Sequence, residues 1–112
     1  MDMRQRDEGG VVIFDLQGEL RGGPADDAIF KTGVQNTIDA GARQVLLNLS
    51  DLRWINSTGL GFIVAVYHSM RDHGGTIKMC QPNERIAHIF ATTRFDKVIG
   101  IYPSEKEALA SF

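Results

Sequence analysis

Leu47-Asn48-Leu49-Ser50-Asp51-Leu52-Arg53-Trp54-Ile55-Asn56-Ser57-Thr58-Gly59-Leu60-Gly61 is the stretch on which the fold turns. Its start belongs to Val45 to Leu49, an almost continuously apolar run that predicts a central strand covered on both faces by helices. Beyond the polar trio Asn56, Ser57 and Thr58, apolar residues recur at three- and four-residue intervals: Leu60, Phe62, Ile63, Val66, Tyr67 and Met70. That spacing predicts a helix from Ser57 to His73 with those residues inward, ended by Gly74-Gly75. A buried strand opening into a helix places the junction at the carboxyl end of a strand. Open α/β sheets carry their sites there, and a helix N-terminus presents unpaired N–H groups to an anion.

Working outward, Val11 to Gln17 is β-branched and aromatic and reads as a strand stopped at Gly18. Glu8-Gly9-Gly10 reads as a turn, which makes a hairpin if Met3 to Arg6 is extended. Gly22, Gly23 and Pro24 break the chain before Ile29, Phe30, Val34 and Ile38, the face of a helix that opens at Pro24 and stops at Gly41. Thr76 to Cys80 is another strand. Pro82 and Asn83 precede a short helix carrying Ile86, Ile89 and Phe90; Lys97 to Tyr102 reads as extended; Ser104 to Phe112 is a last helix, with Ser104 and Glu107 at capping-box spacing. The alternation predicts the α/β class: one mixed, largely parallel sheet of four or five strands with about four helices, forming one domain over residues 1–112.

A chain of 112 residues with 43% hydrophobic and 23% charged residues supports one modest core and no second domain. The net charge of −2, with both signs interspersed, gives no sustained positive field, so nucleic acid and membrane surfaces are not expected partners. Cys80, the single cysteine, allows no internal disulfide and no zinc cluster, and points to a reducing cytoplasm. Met1 to Gly10 is charged, and nothing resembles a signal peptide or the roughly 20 apolar residues of a membrane span. No glycine-rich phosphate loop, nucleophile elbow or metal-ligand cluster is present, so no catalytic residue, metal or cofactor is expected. His68, His73 and His88 are scattered and read as surface or helix-end residues, which leaves Ser57 without a base to make it a nucleophile.

Taken alone, Asn56, Ser57 and Thr58 read as a helix cap, with Gly59 and Gly61 permitting close packing of helix on sheet. Ile55 to Gly61, following Leu47 to Leu52, also resembles the signature of the STAS domain, named for sulphate transporters and anti-sigma factor antagonists. The likeness extends to Gly18-Glu19-Leu20, to Gly74-Gly75, and to the ending formed by Ile86 to Phe90, Lys97-Val98-Ile99 and Ser104 to Leu109. It implies a STAS fold and a binding module of the antagonist type, with Ser57 as phosphoacceptor and with Asn56, Ser57, Thr58, Gly59 and Arg21 on the partner surface. By the same resemblance, the unphosphorylated form binds an anti-sigma factor that is also a serine kinase of the histidine-kinase-like ATPase fold, and so releases a sigma factor. A metal-dependent serine phosphatase resets it. A phosphate on Ser57 would add nearly two negative charges to that surface and repel the partner. The competing reading is a fixed STAS scaffold or accessory subunit of a signalling assembly or lipid transport ATPase, in which Ser57 is never modified.

Asn56 stands where phosphorylated antagonists usually have Asp; the amide keeps hydrogen bonding but carries no charge. The kinase would supply the base and the magnesium-bound nucleotide. Arg21 stands where Asp often follows Gly-Glu-Leu, and Gly22-Gly23-Pro24 after it is unusual. This loop is expected beside Ser57 across the top of the sheet, where Arg21 pairs with a phosphate, pairs with an acidic partner, or is solvated. Thr93-Arg94-Phe95 replaces the usual threonine-glycine-leucine in a loop. Trp54 reads either as a core plug or as an exposed aromatic anchor, alternation placing Ile55 inward and Trp54 partly outward.

Overall fold

The computed structural model describes residues Met1–Phe112. Five strands, β1 (Asp2–Glu8), β2 (Val11–Leu20), β3 (Gln44–Ile55), β4 (Thr76–Cys80) and β5 (Ile101–Tyr102), form one sheet in the order β1-β2-β3-β4-β5. β1 runs antiparallel to β2 and every other neighbour is parallel, as the alternation of elements predicted. The hairpin is present: Glu8 pairs with Val11 across Gly9 and Gly10, whose φ angles of 56° and 85° suit a two-residue turn that needs left-handed backbone at both positions.

Four helices accompany the sheet. α1 (residues 24–39) starts with Pro24–Asp26, widens to a π-helical stretch at Asp27–Lys31 and ends as Thr32–Asp39. The other three are α2 (Ser57–Asp72), α3 (Glu84–Thr92) and α4 (Glu105–Ala110). In α1 Phe30, Val34 and Ile38 are buried, whereas Ile29, expected on the same face, lies in the widened turn and is exposed. The inward face of α2 is as expected: Ile63, Val66 and Met70 are fully buried, and Leu60, Phe62 and Tyr67 pack around them half-buried.

Three expectations need correction. β2 continues through Gly18 and Glu19 to Leu20, and β3 continues to Ile55, because the two strands stay paired past two register shifts, Glu19 against Trp54 and Leu20 against Ile55. Lys97 to Tyr102 is not one extended run. Phe95–Lys97 is a single 3-10 turn after Arg94 at φ 60°, and only Ile101–Tyr102 joins the sheet. The turn drives Phe95 into the core, where its ring stacks on Phe90 at 5.5 Å, and buries Ile99 behind it.

α1, α2 and α3 cover one face of the sheet and enclose the main core with Phe14, Leu16, Leu47 and Leu49. The opposite face is covered by α4, which packs Ala108 on Val11, Ile13, Leu46 and Cys80. β3 is therefore covered on both sides as its apolar run predicted, except that Asn48 breaks that run on the α4 side. Its amide donates to Glu105 at 2.9 Å. Glu105 also pairs with Arg6, whose guanidinium forks onto Asp15 at 2.7 and 3.0 Å. These bonds, Arg6 first and Asn48 after the opposing cost of burial, hold the Glu105 carboxyl below the usual carboxylate range. Burial, with the nearby carboxylates of Glu105 and Asp15, pushes the Cys80 thiol up to about 12.

Candidate functional site

The strand-to-helix junction is organised by Asn56. Its backbone is extended, at φ −108° and ψ −177°, and its side-chain oxygen accepts the Gly59 N–H at 2.8 Å, while its carbonyl accepts from Leu60 at 2.9 Å. Asn56 is thus the cap of α2, and Ser57 and Thr58 are the first two helical residues, both exposed. An aspartate would accept the same bond, so the exchange of Asp for Asn leaves the cap intact and removes only a charge. The Ser57 hydroxyl is engaged by no protein group, and the N–H groups of Ser57 and Thr58 have no acceptor, which leaves a polar first turn facing outward.

Two close approaches fix this turn. Gly59 is buried, and a Cβ there would run into the Leu20 carbonyl at the end of β2, so the helix meets the sheet with no room for a side chain. Gly61 differs: a Cβ there would meet open space. The loop after β2 lies beside the junction as expected, since Gly22, at φ 77°, packs against Thr58. That loop is held from beneath by the buried Asp26 carboxylate, which accepts the N–H groups of Arg21 and Gly22 at 2.8 and 3.1 Å. The Arg21 guanidinium itself pairs with Glu19 at 2.8 Å.

Beside the junction is a polar cleft of about 420 Å³ lined by Glu19, Arg21, Arg53, Trp54, Asn56 and Arg85. Trp54 is half-buried at its wall and takes no place in the core, which decides for the outward reading; the Arg85 guanidinium lies 4.8 Å from its ring centroid. Arg53 and Arg85 were missed by the sequence reading. Arg53 is signalled only by its place beside Trp54, while Arg85 arrives through topology. Asn83 caps α3 by accepting from Ile86 at 2.8 Å, and its amide donates to the Leu52 and Arg53 carbonyls at 3.2 and 3.1 Å, pinning the first turn of α3 to the end of β3. Of the expected residues, Asn56 and Arg21 line the cleft, and Ser57, Thr58 and Gly59 form the helix start next to it.

His68, His73 and His88 are exposed and none lines the cleft; His73 is tied to the Ser69 carbonyl at 2.8 Å. No group of three or more His, Cys, Asp or Glu side chains is placed to hold a metal ion, and no helix is long and apolar enough to cross a membrane.

Comparison with known proteins places these features. The sequence profile of the STAS domain matches residues 2–108. A Thermotoga neapolitana protein, provisionally named an anti-sigma factor antagonist, is 36% identical over 72 residues, 64% of each chain, so this chain spans 64% of that relative's length. The anti-sigma F factor antagonist of Paenibacillus polymyxa is 28% identical over 101 residues, 89% of this chain and 85% of the other. The crystal structure of a Thermotoga maritima protein, provisionally titled an anti-sigma factor antagonist, superposes with a TM-score of 0.89 at 28% identity and covers 97% of this chain and 92% of its own.

Proposed function

Because the chain belongs to the STAS domain family, we propose that it is an anti-sigma factor antagonist working in the cytoplasm, switched by phosphorylation of Ser57. The observation that carries this reading is the state of Ser57: an exposed, unengaged hydroxyl on the first turn of a 16-residue helix, beside a cleft and outside the core. Asn56 supplies the cap, so Ser57 is free to react without loss of the helix start. A phosphate there meets unpaired N–H groups and the positive end of the helix dipole, a setting that favours an anion by about 0.3–1 kcal/mol at an exposed site. The modification therefore leaves the fold in place while it changes the surface.

The same geometry supports a partner-binding role. The unmodified surface, Arg21, Asn56, Ser57, Thr58 and Gly59, docks an anti-sigma factor that is also a serine kinase of the histidine-kinase-like ATPase fold, and sigma factor is released. The kinase supplies the base and magnesium nucleotide, the phosphate on Ser57 repels it, and a metal-dependent serine phosphatase restores the binding form. No residue of this chain does catalysis in that cycle.

The experiment is intact-mass spectrometry of wild type, Ser57→Ala and Thr58→Ala after incubation with magnesium-ATP and the kinase-type anti-sigma factors of the same cell. One added phosphate, lost in Ser57→Ala, kept in Thr58→Ala and accompanied by loss of kinase binding, supports the switch. No modification with any candidate refutes it and leaves the fixed scaffold or accessory subunit.

A further inference from the structure

Three guanidinium groups from three separate elements meet at the cleft beside Asn56: Arg21 from the loop after β2, Arg53 from β3 and Arg85 from the first turn of α3. Only one is answered within the chain. Glu19 pairs with Arg21, whereas Arg53 and Arg85 have no carboxylate within ion-pair reach. The chain as a whole carries −2, so this local excess of positive charge runs against the overall balance. Arg85 is moreover held ready: its ring partner Trp54 and the Asn83 clamp on β3 restrict it before anything binds, which lowers the cost of ordering it in a complex.

We propose that this arginine cleft is the docking surface for an acidic segment of the protein partner. The segment's carboxylates take the guanidinium forks of Arg53 and Arg85, and its apolar part lies on Trp54. The inference rests on the reading that this end of the sheet is the partner-binding surface. Planar carboxylates match guanidinium forks two bonds at a time, and a half-buried indole under an arginine is the composition of an interface anchor. Nucleic acid fits poorly. Its affinity grows with the number of phosphates neutralised along a track, and here carboxylates interrupt any such track: Glu19 stands in the cleft wall, and Asp2 and Asp26 line the adjoining cavity that shares Arg21 and Arg53. Ser57 follows Asn56, which lines the cleft, so a phosphate on Ser57 adds a dianion beside the surface that the acidic segment would occupy. A modified Ser57 thus repels the acidic segment, and phosphorylation and docking disfavour each other.

Trp54 is the only tryptophan, so its emission reports on the cleft directly. The full chain is titrated with a fluorescein-labelled oligo-glutamate peptide, following Trp54 emission in wild type and peptide anisotropy in wild type and in the double variant Arg53→Glu/Arg85→Glu. A saturable signal that weakens at least about tenfold in the variant, and fades as salt rises from about 50 to about 300 mM, supports the proposal. Both arginines are exposed, so the variant stays folded; loss of the Arg85–Trp54 contact lowers its melting temperature by no more than about 4 °C, and this is measured alongside. Equal affinity in the two proteins, no saturable signal in wild type, or equally tight binding of a single-stranded oligonucleotide of matched charge overturns it. The titration needs no kinase. Failure of Ser57 phosphorylation therefore refutes the switch alone, and an arginine-insensitive peptide site refutes the cleft alone.

Discussion

Alanine at Gly59 and at Gly61 changes stability in opposite directions, although the two glycines stand two residues apart in one motif. At Gly61 the added methyl meets open space on an exposed helical position. The substitution gains the helix propensity of alanine over glycine, about 0.8–1.0 kcal/mol. At Gly59 the methyl runs into the Leu20 carbonyl, a backbone atom that cannot rotate away, so the start of α2 must lift off the end of β2. Overpacking of this kind costs about 1–3 kcal/mol, and a rigid neighbour puts it near the upper figure. The same propensity gain offsets about 1 kcal/mol, for a net loss of about 2 kcal/mol. With an unfolding entropy of about 2.1 cal/mol/K per residue, a 112-residue chain shifts by about 4 °C per kcal/mol. Calorimetric melts should place Gly61→Ala about 4 °C above wild type and Gly59→Ala about 8 °C below it. Gly59→Ala melting at or above wild type, or Gly61→Ala melting below it, would refute the assignment of close contact to one glycine and free space to the other.

Asn56→Ala removes the cap of α2 and lowers stability by about 1 kcal/mol in denaturant titration, whereas Asn56→Asp retains stability because the carboxylate accepts the same Gly59 bond. Glu105→Gln is less stable than wild type by about 1 kcal/mol at neutral pH, since an amide loses the charge-assisted bond from Arg6. The folded carboxyl titrates below its unfolded value of about 4.3, so its contribution is complete above that value and is lost as pH falls through the lower folded one. The stability gap between the two proteins accordingly closes below about pH 4, as urea titrations across pH will show. The Cys80 thiol, buried and with its pKa pushed up to about 12, holds almost no thiolate at pH 8. Native protein should leave a chromogenic disulfide reagent unreacted until denaturant opens the core, and rapid reaction under native conditions would contradict its burial.

Most of the architecture was legible because period and punctuation agree along the chain. Apolar runs in β2 and β3, the glycine pair closing the hairpin and the spaced apolar residues of α2 and α3 each belong to a local pattern. The misreadings arose where pairing or packing overrides local pattern. Gly18 looks like a strand end, yet β2 passes through it because β3 remains alongside with a shifted register. Lys97 to Tyr102 is β-branched enough to look extended, yet the core draws in Phe95 and Ile99 and leaves two residues for the sheet. At the site, the residues contiguous in sequence were found by motif. Arg53 and Arg85 were not, because they lie 32 positions apart and the Asn83 clamp brings them to one cleft. Trp54 had two readings until Arg85 was seen over its ring.

Each strand of the sheet lies next to its predecessor in the chain. On the ribosome, every emerging strand therefore finds its neighbour already synthesised, and the sheet can grow from one edge in the direction of translation. The arginines follow the same schedule, Arg21 first, then Arg53, then Arg85. At about 5–20 residues per second, Arg85, 28 positions further on, emerges roughly 1–6 s after Ser57. During that interval a nascent chain already displays Ser57 and the start of α2, while the cleft beside them lacks a wall that only α3 can supply.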